Sequence, residues 1–281
     1  MIPVGAFARV SKSEMFYNLD SLYTYMINNK ALIGVMLLTD GMLTKTNQPR
    51  MTYFSNDMIL HNKFQTLINT TYNTSITSFF AEKNGHRTIY ARKEHLSVMD
   101  DLLKLSPSFK TSPGYISKEE YCNKPQPTLS FLDKCNRKTK IAAINIAMSA
   151  EGSIEIIRRE NGSIKGVLKL ACSHPALVEE WRALFSEFRI KFNIMKDRNI
   201  WSGIHGLRTT RSDYILKFYE LGGFVNKVKI HRGKRFKNVE KNRVLEAFVK
   251  FKKAGIKEYT KLDDQSFWRY IGKYARVPER H

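Results

Sequence analysis

The sequence is poor in the features that define several large classes of protein. Its three cysteines, Cys122, Cys135 and Cys172, are too few and too widely spaced for a disulfide framework or a zinc module. It lacks the run of about 18 apolar residues that a membrane span requires, and its first residues lack the basic start and apolar core of a secretory signal. We therefore expect a cytoplasmic protein with no membrane partner, and expression inside an organelle stays open.

Three common catalytic motifs are also missing. The chain contains no G-x-x-x-x-G-K-[ST] phosphate loop, no G-x-S-x-G nucleophile turn and no H-E-x-x-H zinc motif. Its seven histidines are scattered along the sequence. The patterns therefore argue against a P-loop nucleotidase, an α/β-hydrolase and a histidine-centred metal enzyme.

Acidic residues are scarce relative to basic ones. There are 26 Asp and Glu against 47 Lys and Arg, a net charge of +21. Residues 226–281 alone carry 17 Lys and Arg against six Asp and Glu, which gives +11. Such an excess opposes compaction and is usually retained for a polyanion, most often nucleic acid. An ordinary solvated basic surface is the alternative.

One order of predicted elements occurs twice in the sequence. A helix that ends at Asp40-Gly41 precedes two short strands, a second helix, two strands around Asn84-Gly85 and a helix at 95–105. After a proline-containing stretch the same order restarts, with a helix that ends at Glu151-Gly152. The repeat predicts an α+β fold of tandem αββαββα units.

The repeat also predicts the division of the chain. We expect a first half at 1–110, a linker at 111–135, a second half at 136–255 and a basic C-terminal extension at 256–281. Near the end of the second half, "KNRVLEAFVKFKK" is the predicted closing helix.

An acidic residue at the C-terminus of a helix is electrostatically unfavourable, because the helix dipole prefers a cation there. At one position, an exposed boundary carboxylate explains it equally well. At two equivalent positions, Asp40 and Glu151, the pattern favours two helices packed side by side, with small residues such as Ala143 and Ala147 at the contact. The two carboxylates would then converge on a divalent cation and support phosphodiester hydrolysis.

The predicted hairpins of the second half alternate between apolar and polar residues. Ile154 and Ile156 occupy one face, and Ser153 and Glu155 occupy the other. Any single outward residue is most simply a solvent-facing side chain. As a set, in a protein of charge +21, they predict a sheet whose outer face reads a DNA groove.

The motifs and their order resemble the LAGLIDADG homing endonucleases, in the single-chain form with two motif copies. The copies are "IGVMLLTDG" (33–41) and "INIAMSAEG" (144–152), and the resemblance covers roughly residues 20–255. It implies two halves related by a pseudo-twofold axis, with saddle-shaped antiparallel sheets on DNA. It also implies a monomer that acts as a pseudo-dimer and makes a Mg²⁺-dependent (or Mn²⁺-dependent) double-strand break at a long site, linked to intron mobility or a free-standing gene.

The resemblance further assigns site residues. Asp40 and Glu151 would be the catalytic, metal-binding acids, with the carbonyls of Thr39 and Ala150 as additional ligands. The predicted contacts to double-stranded DNA are Lys45, Arg87, Arg92, Ser153, Glu155, Arg159, Lys165, Lys169, Arg198 and Arg208. Lys110 and Lys229 are candidates for basic residues near the scissile phosphates, or plain surface lysines.

A second function is compatible with the same fold. A nucleic-acid binder that does not cleave, either an intron-splicing maturase or a DNA-binding regulator, would share the basic sheet. The retention of both acids favours the endonuclease, because a pure binder has no use for paired carboxylates beside phosphate.

Overall fold

The computed structural model describes residues 12–44, 50–74, 76–83, 86–92, 96–160, 163–231 and 236–253, together with residues 266, 268, 269, 271 and 272. Within these ranges, the side chains of 12–25, 77–83 and 86–92 are not described.

The described elements follow the predicted order. The first half consists of α1 (Lys12–Asp40), β1 (Gly41–Thr44), β2 (Arg50–Tyr53), α2 (Met58–Tyr72), β3 (Thr77–Lys83), β4 (His86–Arg92) and α3 (Leu96–Leu103). After the short α4 (Lys118–Cys122), the second half consists of α5 (Arg137–Ala150), β5 (Gly152–Arg158), β6 (Ile164–Ala171), α6 (Pro175–Glu187), β7 (Asn193–Lys196), β8 (Ile204–Thr209) and α7 (Ser212–Glu220), and α8 (Lys241–Lys253) follows. The order αββαββα therefore occurs twice, which confirms the predicted fold. Among the described helices, none combines the length and apolarity that crossing a membrane needs.

The two motif helices, α1 and α5, pack against each other at the centre of the protein. Ala143 and Ala147 are fully buried, as are Val35 and Met36 on α1. The small side chains of α5 thus lie in the core, where they allow the larger side chains of α1 to approach. α1 begins at Lys12, and no glycine or proline interrupts the sequence between Lys12 and Gly34.

The second half contains one four-stranded antiparallel sheet in the order β5-β6-β8-β7. Helices α6, α7 and α8 pack against its strands, and the burial alternates as predicted, with Ile154 and Ile156 buried and Ile157 exposed. In the first half the strands form two hairpins, β1-β2 and β3-β4, and β2 lies beside β4. The register of β3 and β4 leaves two residues for the turn, Asn84 and Gly85, which lie outside the described residues.

The segment expected to be a linker is anchored to the second half. Tyr121 on α4 is buried, and its hydroxyl donates to the carbonyl of Lys110 at 2.6 Å. The carboxylate of Glu180, on α6, accepts hydrogen bonds from the hydroxyl of Thr128 at 2.7 Å and from the amide of Leu129 at 2.6 Å. These contacts fix the connection between the halves along the surface of α6.

After α7 the chain forms a small hairpin that leads into α8. An isolated bridge joins Lys229 to Glu240, and the amide of Lys241 donates to the carbonyl of Val228 at 2.8 Å. The apolar face of α8, with Val244, Phe248 and Phe251, is buried in the core, and of the residues described beyond it, Ile271 is also fully buried. Most of the extension 256–281 lies outside the described residues.

Candidate metal centre

The two acids end their helices in the same way. Asp40 is the last residue of α1, and Glu151 caps the C-terminus of α5. The next residue is glycine in both cases, and no larger residue fits. A Cβ at Gly41 or at Gly152 would lie 2.5 Å from the backbone of the residue four positions earlier. The chain can therefore leave each helix directly into a strand, and this fixes where the acid lies.

The backbone at each acid is held by the neighbouring strand. The amide of Phe54, just after β2, donates to the carbonyl of Asp40 at 2.6 Å. The amide of Ala171, at the end of β6, donates to the carbonyl of Glu151 at 3.1 Å. Two halves of unrelated local sequence thus hold their acids by equivalent contacts, as the repeat predicts.

A side-chain hydrogen bond joins Asp40 to Glu151. Burial raises the pKa of Asp40 from 3.8 to about 6, and the hydrogen bond from Glu151 and the positive charge of Lys241 both oppose this rise. Two carboxylates held this close repel each other when both are charged. The two carboxylates therefore compete for a positive charge, which a proton or a metal ion can supply.

The donor set suits a hard divalent cation. The structure brings the two carboxylates together, and hard oxygen donors are those that Mg²⁺ and Mn²⁺ prefer. The carbonyls of Thr39 and Ala150 stay predicted ligands. No three His, Cys, Asp or Glu side chains come together in the described part of the chain, so the candidate site supplies two carboxylates and no third such side chain. Any further ligands would be water or phosphate, which is the usual mode of Mg²⁺ binding. The residues fit the ion.

A buried lysine lies against the turn that carries Glu151. Lys241, the first residue of α8, is 8% exposed, and its ammonium donates to the carbonyls of Ser149 at 2.6 Å and Gly152 at 2.7 Å. Burial lowers the pKa of Lys241 to about 8, and the negative charges of Glu151 and Asp40 oppose this fall. Lys241 is thus a cation of the candidate site at neutral pH.

The acids face a cleft of about 600 Å³ on one side of the α1–α5 contact. Asp57 holds the far wall of the cleft. One oxygen of its carboxylate accepts the amide of Ile59 at 2.9 Å as the N-cap of α2, and the other accepts the amide of Lys229 at 2.9 Å. His231 lies 3.4 Å from the same oxygen. The exposed side chain of Lys229 thereby reaches the cleft that contains Asp40 and Glu151.

A smaller cleft of about 250 Å³ opens on the other side of Glu151. It is lined by Thr39 and by Thr111, from the segment that connects the halves, among other residues. Lys110 is exposed beside Thr111, with its ammonium 5.8 Å from the ring of Tyr121. Glu151 is thus accessible from two sides. Of the two candidate lysines, Lys229 lines one of these clefts and Lys110 lines neither.

Four polar residues form a row across the outer face of the second sheet. Ser153 pairs with Lys169, Lys169 with Arg208, and Arg208 with Asn193, one residue from each strand. Lys169 also pairs with Glu155, at 2.7 Å from ammonium to carboxylate. The structure therefore brings four of the predicted DNA contacts together and adds Asn193, which no sequence pattern indicated.

The remaining predicted DNA contacts are more dispersed. Lys165 and Arg208 line a groove of about 650 Å³ on the same face, together with Lys196 and His205. The other residues lie at the ends of strands or outside the described side chains. Arg159 and Arg198 are exposed just after β5 and β7, Arg87 and Arg92 lie on β4 with their side chains not described, and Lys45 falls outside the described residues.

Sequence reasoning missed Lys241, His231 and the second role of Asp57. No local pattern marks Lys241 among the lysines near it, although a lysine at the first position of a helix is on the unfavourable end of the dipole. Asp57 lies just before α2, where an aspartate commonly caps a helix, and nothing in the sequence connects a cap in the first half to an amide 172 positions later.

Comparisons with known proteins return similarity in solved structures alone. A scan of family models finds no match to the chain, and no curated protein matches it. A mesophilic variant of the homing endonuclease I-DmoI is 13% identical, with a TM-score of 0.45 over 69% of this chain and 88% of that one. I-DmoI in complex with DNA and Mn is 12% identical, with a TM-score of 0.46 over 70% and 96%.

The full-length DUF199/WhiA from Thermatoga maritima is also similar, at 12% identity and a TM-score of 0.46 over 91% of this chain and 72% of that one. A further structure is described as the N-terminal LAGLIDADG domain of DUF199/WhiA. The solved structures to which this chain is similar thus include LAGLIDADG proteins, the family that the sequence motifs resemble.

Proposed function

We propose that the protein is a divalent-metal-dependent DNA endonuclease of the LAGLIDADG type, which binds a long double-stranded site and cuts both strands. The observation that carries this proposal is the meeting of Asp40 and Glu151 at the adjoining ends of α1 and α5, at the base of an open cleft. Two adjoining carboxylates on a protein of charge +21 are explained economically by a cation and a phosphate that complete the site.

The basic row supports DNA as the substrate. Lys169 and Arg208 lie on adjacent strands of the outer face, and Lys165 lies on the same strand as Lys169. An antiparallel sheet with side chains standing outward can enter a major groove, where arginine and lysine bind guanine edges and phosphates. Recognition would thus use this face, and the cleft at the ends of the helices would receive the backbone of each strand.

The proposed chemistry divides between the acids and the basic residues. Asp40 and Glu151 would hold the dication, which when bound supplies activation of water and charge neutralisation at the phosphodiester. Lys229 faces the same cleft from the opposite wall and can bind a phosphate oxygen there. Its position is set by the hydrogen bond from its own amide to Asp57.

One observation favours the alternative, a nucleic-acid binder that does not cleave. Lys241 already supplies a positive charge beside the acids, so the pair is partly satisfied without a metal ion. In a binder of this type the acids and the lysine would form a polar contact that fixes the two halves.

Cleavage of a randomised DNA library tests the proposal. The purified full-length protein is incubated with the library with EDTA, Mg²⁺ or Mn²⁺, beside the Asp40→Asn and Glu151→Gln variants. We expect double-strand cuts at one sequence with metal alone, and a loss of at least about 100-fold in rate in each variant with DNA binding retained.

Two outcomes would redirect the conclusion. Tight, sequence-selective binding without cuts under either metal would establish the binder. Equal loss of binding and cutting in both variants would assign the acids a structural role, so the thermal stability of each variant is measured alongside.

A further inference from the structure

Three charged residues at the candidate site each occupy the unfavourable end of a helix. Asp40 and Glu151 lie at helix C-termini, and Lys241 lies at the N-terminus of α8. Each placement costs stability when the helix is considered alone, because it opposes the helix dipole. When the three residues lie together, the positive charge of Lys241 and the negative charges of the two acids offset this cost. The ammonium of Lys241 also lies at the C-terminal carbonyls of α5, where a cation is favourable.

The contacts of Lys241 are directed at the turn that carries Glu151. Its ammonium bonds Ser149 on one side of Ala150-Glu151 and Gly152 on the other, so one cation spans the four residues 149–152. The ring of Phe224 covers it, with the ammonium 5.6 Å from the ring centre. A buried ammonium is costly unless carbonyls and negative charges offset it; this one bonds two carbonyls and lines the same cleft as Asp40 and Glu151.

The backbone delivers Lys241 to this position from outside the repeat. The amide of Lys241 donates to Val228, on the strand-like segment whose next residues line the cleft. α8 itself packs on β5 and α7. The position of the ammonium is therefore fixed by the fold, not by a flexible side chain that reaches from the surface.

We propose that Lys241 is the internal counter-cation of the Asp40–Glu151 pair, a positioning residue that holds the turn 149–152 and compensates the two carboxylates when no metal ion is bound. The part of this proposal that concerns metal rests on the proposed function, and the part that concerns the carboxylates does not. The lysine keeps the pair assembled in the free protein, so that the site is formed before DNA and metal arrive.

A double-mutant cycle in metal-free buffer tests the charge coupling. Thermal unfolding of the full-length wild type, Lys241→Met, Asp40→Asn and the double variant is followed in EDTA at pH 7. Methionine keeps the apolar stem and removes the charge. We expect Lys241→Met to lower the Tm by roughly 5 °C or more, and Asp40→Asn to raise the Tm by more in the Lys241→Met background than in the wild type.

The controls separate coupling from packing. Lys253→Met removes an exposed lysine from the same helix and should leave the effect of Asp40→Asn unchanged. If Asp40→Asn shifts the Tm equally with and without Lys241, the lysine is only a ligand of backbone carbonyls and the proposal is overturned. If Lys241→Met does not fold alone, folding of the double variant supports the coupling, and failure of the double variant overturns it.

A second set of measurements adds Mn²⁺ to each variant without DNA. Loss of the internal cation should increase the rise in Tm on Mn²⁺ addition for Lys241→Met relative to the wild type, and abolish it where Asp40 is also replaced. A rise of the same size in wild type and Lys241→Met would overturn the view that the lysine and the metal compensate the same charges. Because the EDTA cycle uses neither metal nor DNA, it measures the coupling between Lys241 and Asp40 even in a protein that proves unable to cleave.

Discussion

Asp40 and Glu151 share a hydrogen bond although they belong to different halves of the repeat and each terminates its own helix. The contact is possible because α1 and α5 pack along each other and because the glycine that follows each acid lets the chain turn away at once. The halves thus meet at a charged contact between the two motif helices, and the energetics of this contact depend on pH, on the glycines and on the segment opposite. Each of these dependences can be measured.

The stability of the metal-free protein should reflect the titration of Asp40. The pKa of Asp40 is about 6 in the folded protein and 3.8 ordinarily, so between these values the folded state binds more protons than the unfolded state. Stability contributed by this group is therefore complete below pH 3.8 and is lost as the pH rises to about 6. The cost above pH 6 is on the order of 3 kcal/mol.

Asp40→Asn should remove this cost. We expect the variant to gain stability over the wild type as the pH rises from 4 to 6, with a constant gain above that, measured by urea unfolding in EDTA. Asp133→Asn, at an exposed position, is the matched control and should follow the wild type. A gain that does not depend on pH would show that Asp40 is not the titrating group.

The glycines after the acids should be intolerant of even one methyl group. Gly152→Ala would place Cβ 2.5 Å from the carbonyl oxygen of Met148, and the backbone there has nowhere to move without displacing Glu151. We expect a loss of about 2–4 kcal/mol in the free energy of unfolding and a larger proportional loss of cleavage than of DNA binding. Gly272→Ala, whose Cβ would meet no atom of the described residues within 4 Å, should be neutral or slightly stabilising. Equal stability of the two alanine variants would contradict the close approach.

The part of this site that the sequence predicts is the part encoded locally. Asp40-Gly41 and Glu151-Gly152 lie at the ends of apolar helices, and the strands that follow alternate with a period of two. The position of each acid and its repetition in the second half can therefore be recognised from the sequence alone. Alternation also predicts the buried face of β5, whereas β6 buries Val167 as well as its neighbour Leu168.

The part that could not be predicted depends on contacts between distant segments. Lys241 is one of many lysines in the last quarter of the chain, and its burial follows from a hairpin that no sequence period describes. The same holds for the row across the sheet. Asn193 joins it because β7 pairs with β8 in one particular register, which is set by tertiary packing.

Asp57 should contribute more to stability than a helix cap alone. Its carboxylate caps α2 and also accepts the amide of Lys229, so Asp57→Ala removes a cap and an anchor of the segment opposite the acids. We expect a loss on the order of 2–3 kcal/mol, with faster hydrogen exchange of the Lys229 amide. Ser117→Ala removes only the cap of the short α4 and should cost about 1 kcal/mol or less. Similar losses, with unchanged exchange at Lys229, would show that the segment is held by other contacts.

Arg208 should contribute to DNA binding and not to stability. Its Nε is buried and has no hydrogen-bond partner in the described part of the chain, and an unsatisfied donor costs free energy that a bound acceptor could recover. Arg208→Met keeps the apolar stem, so we expect the free protein to be unchanged or more stable. Affinity for the selected DNA site should fall by about 1–3 kcal/mol, with relaxed specificity at one or two base pairs.

Binding to the site and to permuted sites is measured by fluorescence anisotropy over a range of salt. Lys217→Ala, on α7, which packs behind the sheet, should leave affinity and its salt dependence unchanged. Uniform weakening across all sequences, with a reduced salt slope, would assign Arg208 to a phosphate instead of a base, and a destabilised free protein would show that its guanidinium is needed for folding.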